Sequence, residues 1–220
     1  MAGFKWRLFF GILLPALFGS ALVFSPAVTF PADTKVGAIS FVKGKVYIKK
    51  PGKEKLVSAG AGAGIFTGDI ISTSAGSKAR IIFIDGSFVD IASNSKLMIT
   101  LYFFSKGENR RKAVILLMKG KLRAIAYKNY KGKGSTFIIK TSSAIIQTNR
   151  ADLVVTATPA ETEVAVLERS VSLKNVSKLV IGEISLKQNQ SSTVKEGMPP
   201  TYPVPVTFQQ KKQYIRETTG

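Results

Sequence analysis

Residues 67–91 constrain the fold of this chain more than any other stretch. They hold short runs of β-branched and aromatic residues, separated by turns of glycine, serine and aspartate. The run at 79–84 stops at Asp85-Gly86, and Asp-Gly beside strand-forming residues is a strong hairpin signal because glycine adopts positive φ. Val89 and Ile91 then resume the alternation of a half-buried strand. We predict strands on either side of a polar turn at 72–77, followed by a hairpin turn at Asp85-Gly86.

The same pattern of short strands and polar turns continues along most of the chain. Outside residues 8–24, no window of a dozen residues carries a convincing helical period. The further strands that we predict cover 39–41, 46–48, 98–104, 114–118, 122–127, 137–140, 153–157, 163–167, 171–173, 179–181 and 184–186. The sequence therefore predicts an all-β fold, with its short strands in a β-solenoid, roll-like, sandwich or barrel arrangement.

A weak internal repeat favours stacked β-units. The segment VKGKV at 42–46 recurs as MKGKL at 118–122, and a degenerate copy, LERSV, stands at 167–171. Each copy places a turn-forming residue between two short apolar strands, which is the unit that a solenoid or roll lays over its neighbour. The alternative is that Lys-Gly-Lys is a common hairpin turn. The spacing is irregular, so a regular repeat protein is not predicted.

The first residues have the order of a secretory signal peptide. Lys5 and Arg7 precede an uncharged apolar run at 8–24, and small residues follow up to Ala27. We predict a signal helix within residues 1–27, with cleavage after Ala27 and Ala32 as the alternative site. An uncleaved membrane anchor is the other interpretation, since seventeen apolar residues could just span a bilayer. Both interpretations predict export.

The spacing of residues around the Asp-Gly turn resembles the core of the FecR domain. The residues that carry the resemblance are Gly68, Asp69, Thr73, Ser77, Ala79, Phe83, Asp85, Gly86 and Ser87. Upstream, Gly37 and the segment at 42–46 resemble the opening strand pair of that family. The resemblance extends over residues 36–197. The remaining residues, 198–220, are predicted to form a proline-rich extended segment and a polar tail, with one short helix in the tail as the alternative.

The second half departs from the family pattern at two places. Where the family has a V-R-G-T-x-F element, this chain has QTNRADL at 147–153. The later E-G-x-V element appears as ERSV at 168–171, so that Arg169 replaces glycine. The resemblance therefore implies a divergent second half, and any role of those glycines does not carry over.

The residue inventory argues against catalysis. The chain has no histidine and no cysteine, which removes the usual general base, the histidine triads and most metal sites. Asp69, Asp85 and Asp90 are the closest acids, and they stand in turn signals where an aspartate caps its own turn. A calcium site from the same aspartates is the alternative, without a recognised calcium-loop spacing. We predict no catalytic residue, no cofactor and no metal.

Positive charge is the other strong feature of the sequence. The net charge is +19, and eleven basic residues between 106 and 140 stand against Glu108 alone. Behind a signal peptide the anionic partners are envelope lipids, wall polymers and acidic proteins, so no nucleic acid is expected. The predicted partner surface consists of Arg110, Arg111, Lys112, Lys119, Lys121, Arg123, Lys128, Lys131 and Lys133. The alternative is a solvated face that only keeps the protein soluble.

These features lead to ranked hypotheses of function. The best-known FecR proteins hold a sigma factor with a cytosolic segment, cross the membrane once and sense a transporter outside. Few residues precede the apolar run here, so the resemblance implies only the outside half. We expect a non-enzymatic, exported binding or scaffolding module of the cell envelope, bound to an envelope protein, anionic polymer or lipid. The alternative is a lipid or polysaccharide carrier of the β-jellyroll type. A hydrolase ranks third, because clustered carboxylates are lacking.

Overall fold

The computed structural model describes residues 34–128 and 130–219, so the predicted signal peptide and both cleavage sites lie outside the described residues. The described chain contains sixteen strands and one helix. They are β1 (Lys35–Lys43), β2 (Val46–Lys49), β3 (Leu56–Ser58), β4 (Gly64–Phe66), β5 (Ile70–Thr73), β6 (Lys78–Phe83), β7 (Phe88–Ile91), β8 (Lys96–Ser105), β9 (Arg110–Ala126), β10 (Thr136–Lys140), β11 (Ala144–Thr148), β12 (Ala151–Ala157), β13 (Glu161–Asn175), β14 (Glu183–Lys187), β15 (Gln190–Lys195), β16 (Val204–Pro205) and α1 (Phe208–Thr218).

The strands form two sheets that share β9 and β13. The first sheet has the order β4-β1-β6-β7-β9-β12-β13-β15-β16. The second has the order β3-β2-β5-β8-β9-β10-β11-β13-β14. Only β9 and β10 pair in parallel among the described strands. The predicted all-β class is therefore confirmed.

The three copies of the internal repeat are the corners at which the chain passes between the sheets. Gly44 separates β1 of the first sheet from β2 of the second. The strand β9 pairs within the second sheet up to Lys119 and within the first from Gly120 onward. Arg169 is the equivalent corner of β13. All three copies have a corner residue with positive φ, at 77° for Gly44, 92° for Gly120 and 71° for Arg169. The alternative interpretation, a hairpin turn, is wrong.

The corner at Gly120 shows why a repeat of this kind needs glycine. A Cβ atom built on Gly120 would lie 2.5 Å from the Cα of Ser95, which is closer than two carbon atoms can approach. The Ser95 hydroxyl uses this closeness to donate to the carbonyl of Lys121 at 3.1 Å and to accept from its N–H at 2.9 Å. The strands predicted at 114–118 and 122–127 are consequently one continuous strand with a corner.

The core lies between the two sheets and is filled by alternate residues of their strands. In β9, for example, Ala113, Ile115, Leu117, Leu122 and Ala124 are all fully buried. Burial of each large aliphatic side chain stabilises the fold by about 1.5–3 kcal/mol. The buried residues of both sheets form one continuous cluster, and its largest fully buried apolar members include Ile81, Leu97, Ile99, Ile115 and Phe137.

The hairpin predicted at Asp85-Gly86 is confirmed. Strands β6 and β7 pair in antiparallel fashion, with Ile82 opposite Phe88, and Gly86 has a φ of 83°. The polar turn at 72–77 leads from β5 in the second sheet to β6 in the first. Residues 67–91 therefore contribute one strand to the second sheet and a hairpin to the first.

Two predictions about the last third of the chain need correction. The strand expected at 179–181 is wrong, because Lys174 of β13 already pairs with Glu183 of β14 and the residues between them form the connecting loop. The polar tail is also wrong, and the alternative of a short helix holds: α1 begins after the N-cap Thr207, whose hydroxyl accepts from the Gln210 N–H. Nowhere in residues 34–128 and 130–219 is a helix both long and apolar enough to cross a membrane.

The helix α1 packs on the outer face of the first sheet. Tyr214 is buried there against Val154, Ala165 and Leu167, apart from the main core. The Tyr214 hydroxyl donates to Glu163 at 2.7 Å. At the other end of the helix, the ammonium of Lys78 donates to two carbonyls near the helix C-terminus, at 2.7 and 2.6 Å. A cation at that end complements the helix dipole, so α1 is fixed at both its middle and its end.

Candidate functional site

The Asp85-Gly86-Ser87 turn is held by a buried network around the Asp85 carboxylate. Its Oδ1 atom accepts from the Ser87 N–H at 2.9 Å and from the Tyr102 hydroxyl at 2.7 Å. Its Oδ2 atom accepts from the Ser87 hydroxyl at 2.8 Å and from Arg111 Nη1 at 3.1 Å. The Tyr130 hydroxyl donates to the Asp85 carbonyl at 3.1 Å. All the contacts of this carboxylate are structural, and they join the hairpin to β8 and β9.

Arg111 lies inside this network, so its placement on an anionic-partner surface is wrong. Its side chain is 0% exposed, and it pairs with Asp85, whose side chain is also 0% exposed. Its Nη2 atom donates to the Asn149 carbonyl at 2.6 Å. The rings of Tyr130 and Phe137 lie 5.0 and 5.2 Å from the guanidinium carbon. A buried guanidinium can persist here because a carboxylate, a carbonyl and two ring faces replace its water.

The protonation state of Tyr102 agrees with a structural role. Burial raises the pKa of Tyr102 well above its ordinary value, and the neighbouring Asp85 carboxylate raises it further. The phenol therefore stays protonated and keeps donating to Asp85. A catalytic acid or base would need a pKa near the working pH and access to a substrate. The buried Tyr102 offers neither.

The other motif residues connect strands in the same way. Asp69 is fully buried, and its Oδ2 atom accepts from Lys50 Nζ and from the Phe66 N–H, at 2.8 and 2.9 Å. Gly68 precedes it with a φ of 88°. The Thr73 hydroxyl accepts from the backbone N–H of Ser95 at 3.0 Å. Like the Asp85 turn, these residues fasten loops to neighbouring strands.

The basic residues from the sequence do not form one surface. Arg123 makes a bidentate pair with Asp152, with distances of 2.9 and 2.6 Å, and Lys121 pairs with Glu217 of α1. Arg110 pairs with an adjacent acid across 3.0 Å. In the sequence, Glu108 is the only acid near these basic residues. The acids that pair with Arg123 and Lys121 in the fold, Asp152 and Glu217, are distant in sequence. The residues of the predicted surface that remain exposed are Lys112, Lys119, Lys128, Lys131 and Lys133.

An apolar patch that the sequence interpretation missed lies on the outer face of the second sheet, which we call the open face. Its two cross-strand rows are Ile70, Met98 and Leu116, and beside them Leu101, Val114 and Ile138. Most of these side chains are half-buried, although they point away from the core. The helix of the described chain packs on the other sheet. No helix of the described residues covers the patch, and exposed apolar surface of this kind marks a candidate interaction site.

Lysines surround this apolar patch on every side, and we call them the rim lysines. Lys49 stands opposite Ile70, and Lys140 stands opposite Leu116 on the far side. Lys96 and Lys119 pair at one end of the rows, and Lys112 stands beyond Val114 at the other end. No acidic side chain occupies these two rows in the described chain. The open face thus has an apolar centre and a cationic rim.

The signal for this patch was present in the sequence. Residues 113–118 read AVILLM, which is apolar at successive positions and not only at alternate ones. In an antiparallel sheet with one wet face, such a run has apolar side chains on both faces. For metal chemistry, the described residues contain no group of three or more acidic side chains placed to hold an ion.

Comparisons with known proteins agree with this fold. A model of the family described as "FecR protein" matches residues 69–172. No protein of curated function matches the chain at a significant level.

Two crystal structures of a candidate anti-sigma factor from Parabacteroides distasonis ATCC 8503, at 1.65 and 2.50 Å resolution, are similar to it. Their TM-scores are 0.52 and 0.51, with sequence identities of 17% and 16%. The first alignment covers 66% of this chain and 64% of that chain, and the second covers 66% and 63%. The chain thus spans less than two thirds of the length of those proteins, and the likeness shows the fold alone.

Proposed function

Residues 69–172 form a FecR domain, and on that premise we propose that this protein is an exported, non-enzymatic binding module of the bacterial cell envelope. The FecR-like fold supports a regulatory or signalling class of function. The finer assignment rests on the apolar patch and its rim lysines, and on the signal-like order of residues 5–27.

The open face is the observation that carries this proposal. Protein interfaces have an apolar centre inside a polar rim, and the six apolar residues and five rim lysines have that anatomy. The rim has one sign of charge, so the complementary partner is a protein with acidic side chains around an apolar centre. The flat surface of a sheet also suits a broad protein partner more than a small molecule.

Two features of the structure argue against the competing functions. A lipid carrier would need an apolar cleft between its sheets, whereas the inward side chains of the described residues pack into one continuous core. A hydrolase would need accessible acid–base groups held close together. Asp69, Asp85 and Asp90 are all buried, and each is already paired with a lysine or an arginine.

A matched pair of substitutions tests the binding function. Ile138→Lys places a charge within the apolar patch, and Ile82→Lys makes the same change at an exposed isoleucine on the outer face of the first sheet. With full-length tagged protein and envelope extract, we expect Ile138→Lys to lose captured acidic proteins that Ile82→Lys retains. Equal capture by both variants would contradict the proposal.

Export is tested separately by sequencing the N-terminus of the protein recovered from the periplasmic or envelope fraction. We expect a chain that begins after Ala27 or Ala32, or an uncleaved chain retained in the membrane fraction. Intact protein in the cytosolic fraction would show that the first residues do not direct export.

A further inference from the structure

A polar groove lies on the same open face, beside the apolar patch, and shares only β10 with it. It has a volume of about 530 Å³ and is formed by β10, β11, β13, β14 and the turns next to them. Its walls carry hydroxyl and amide groups, of which Gln147, Ser172 and Ser185 form one cross-strand row. The half of the open face toward β14 is therefore hydrophilic, in contrast to the patch around Leu116.

Two arginines stand at one end of this groove. Arg150 and Arg169 line it, and both also line a second cavity of about 130 Å³ at the adjoining corner. Their side chains are exposed, and neither makes a hydrogen bond or ion pair with another side chain among the described residues. Tyr127 lines the second cavity and is 55% exposed. The corner thus combines two available guanidinium groups and one aromatic ring with two carboxylates, those of Asp152, which Arg123 engages, and of the exposed Glu168.

Two hydrogen bonds hold the backbone of the segments that carry these arginines. The buried Arg111 donates to the carbonyl of Asn149 at 2.6 Å, next to Arg150 in the chain. The Thr148 hydroxyl donates to the Ser170 carbonyl at 3.0 Å and so ties the two arginine-bearing segments together. A site whose backbone is fixed before a ligand arrives loses less entropy on binding.

A further sign of a ligand is an unsatisfied hydroxyl in the groove wall. The Oγ1 atom of Thr136 is buried and has no hydrogen-bond partner among the described residues. Buried hydroxyls are nearly always bonded, so this one can donate or accept a hydrogen bond with a molecule that enters the groove. The Glu183 carboxylate in the same wall is already engaged. Its hydrogen bond from Ser172, followed by that from Lys174, lowers the pKa of Glu183.

The two arginines come from the two places where the sequence departs from the FecR pattern. Arg150 belongs to the segment QTNR, and Arg169 replaces the glycine of the later element. These departures are about twenty residues apart in the chain, yet they line the same cavity. Arg169 also adopts a φ of 71°, which is costly for any residue with a Cβ atom. Its presence at a strained position agrees with a role for the side chain itself.

We propose that this groove binds an anionic carbohydrate, in which carboxylate or phosphate groups meet Arg150 and Arg169. A guanidinium makes bidentate hydrogen bonds to either group. The hydroxyl and amide side chains of the walls match the many hydroxyls of a sugar, and Tyr127 offers a ring face to its apolar side. A protein ligand fits less well, because binding hot spots require apolar anchors that this groove lacks. The inference does not depend on the apolar patch.

The test uses calorimetric titration of the full chain with four probes. Oligogalacturonate carries carboxylates, phosphorylated mannan fragments carry phosphates, maltohexaose is a neutral sugar, and poly-glutamate is an anionic peptide. We expect binding of at least one anionic sugar, with maltohexaose and poly-glutamate at least tenfold weaker. Binding of the first probe alone identifies a carboxylated sugar, and binding of the second alone identifies a phosphorylated one.

The variant Arg150→Gln/Arg169→Asn identifies the site. Asparagine tolerates the backbone conformation at 169, so the fold should survive, which thermal unfolding checks. We expect at least a tenfold loss of affinity for the anionic sugar. Lys53→Gln, at an exposed position in the turn between β2 and β3 that lines neither cavity, is the control and should change affinity less than twofold. Absence of binding to both anionic sugars would overturn the proposal. So would equal binding of poly-glutamate, or full binding by the double variant.

Discussion

The outer face of the first sheet and the apolar patch of the open face differ in how their charged side chains are paired. On the first sheet, Arg80 and Asp90 form a bidentate pair, as do Arg123 and Asp152, and α1 covers part of the surface. On the open face, the rim lysines Lys112 and Lys140 surround apolar side chains and pair with no acid in the described chain. A basic composition therefore does not identify a binding site by itself. What distinguishes a binding surface is the charge that the fold leaves without a partner.

The largest expected effect concerns the buried ion pair of Arg111 and Asp85, which lies between the two sheets. Arg111→Ala leaves Asp85 charged and buried without its partner, which should lower the free energy of unfolding by about 3–5 kcal/mol. Arg110→Ala is the matched control, since the side chains of Arg110 and Glu108 are 41% and 59% exposed. We expect it to change stability by less than about 0.5 kcal/mol in the same urea titration. Similar losses for both variants would contradict the buried network.

The next largest effect should come from the contact between α1 and the outer face of the first sheet. Tyr214→Ala removes the main buried side chain of α1, and we expect a loss of about 2–4 kcal/mol in unfolding free energy. Ile138→Ala, the comparison on the open face, should cost about 1 kcal/mol because that side chain is already half-exposed. Thermal unfolding of both variants measures the difference. An equal cost would mean that the two faces are equally covered.

Alkaline pH should lower the stability that α1 contributes by packing on the outer face of the first sheet. Burial raises the pKa of Tyr214, followed by its hydrogen bond to Glu163. The folded protein therefore holds this proton above pH 10, whereas the unfolded chain releases it near its ordinary value of 10.0. Stability from this group is complete below about pH 10 and declines as the pH rises above it. Tyr214→Phe should flatten that decline, and Tyr102 and Tyr130, whose pKa values are also raised, should account for the remainder.

The smallest expected effect concerns the corner of β13. Arg169→Gly removes the strain of a side chain at positive φ, and we expect a gain of about 0.5–1 kcal/mol in unfolding free energy. Gly120→Ala is the opposite case, because its Cβ would collide with Ser95, and it should lower stability. Chemical unfolding of the two variants checks the corner assignment. A loss of stability in Arg169→Gly would show that the arginine side chain supports the fold.

The sequence predicted the local features well, because their causes are local. The turn at Asp85-Gly86 follows from positive φ at Gly86, and the corners follow from the repeated turn-forming residues. The outcome for Arg111 could not be predicted in this way. Its partner Asp85 is 26 residues away, and only the packing of the second sheet, which holds Arg111, against the hairpin of the first sheet brings the two together.

The site shows the same division between local and long-range causes. The pairing of Lys121 with Glu217 depends on where α1 packs, across 96 residues of sequence. Burial acts to raise the pKa of Glu217, but hydrogen bonds from Lys121 and Gln213 outweigh it, and the pKa is lowered. The open face, by contrast, was legible in principle from the run AVILLM at 113–118. Which basic residues keep a free charge could be known only from the tertiary structure.

Site-specific photo-cross-linking in intact cells tests whether the open face contacts a partner protein. A benzophenone side chain replaces Ile138 on the open face in one strain and Ile82 on the outer face of the first sheet in another. After irradiation, we expect a covalent adduct with an acidic envelope protein at position 138 and none at position 82. An adduct at position 82 with none at position 138 would contradict this expectation.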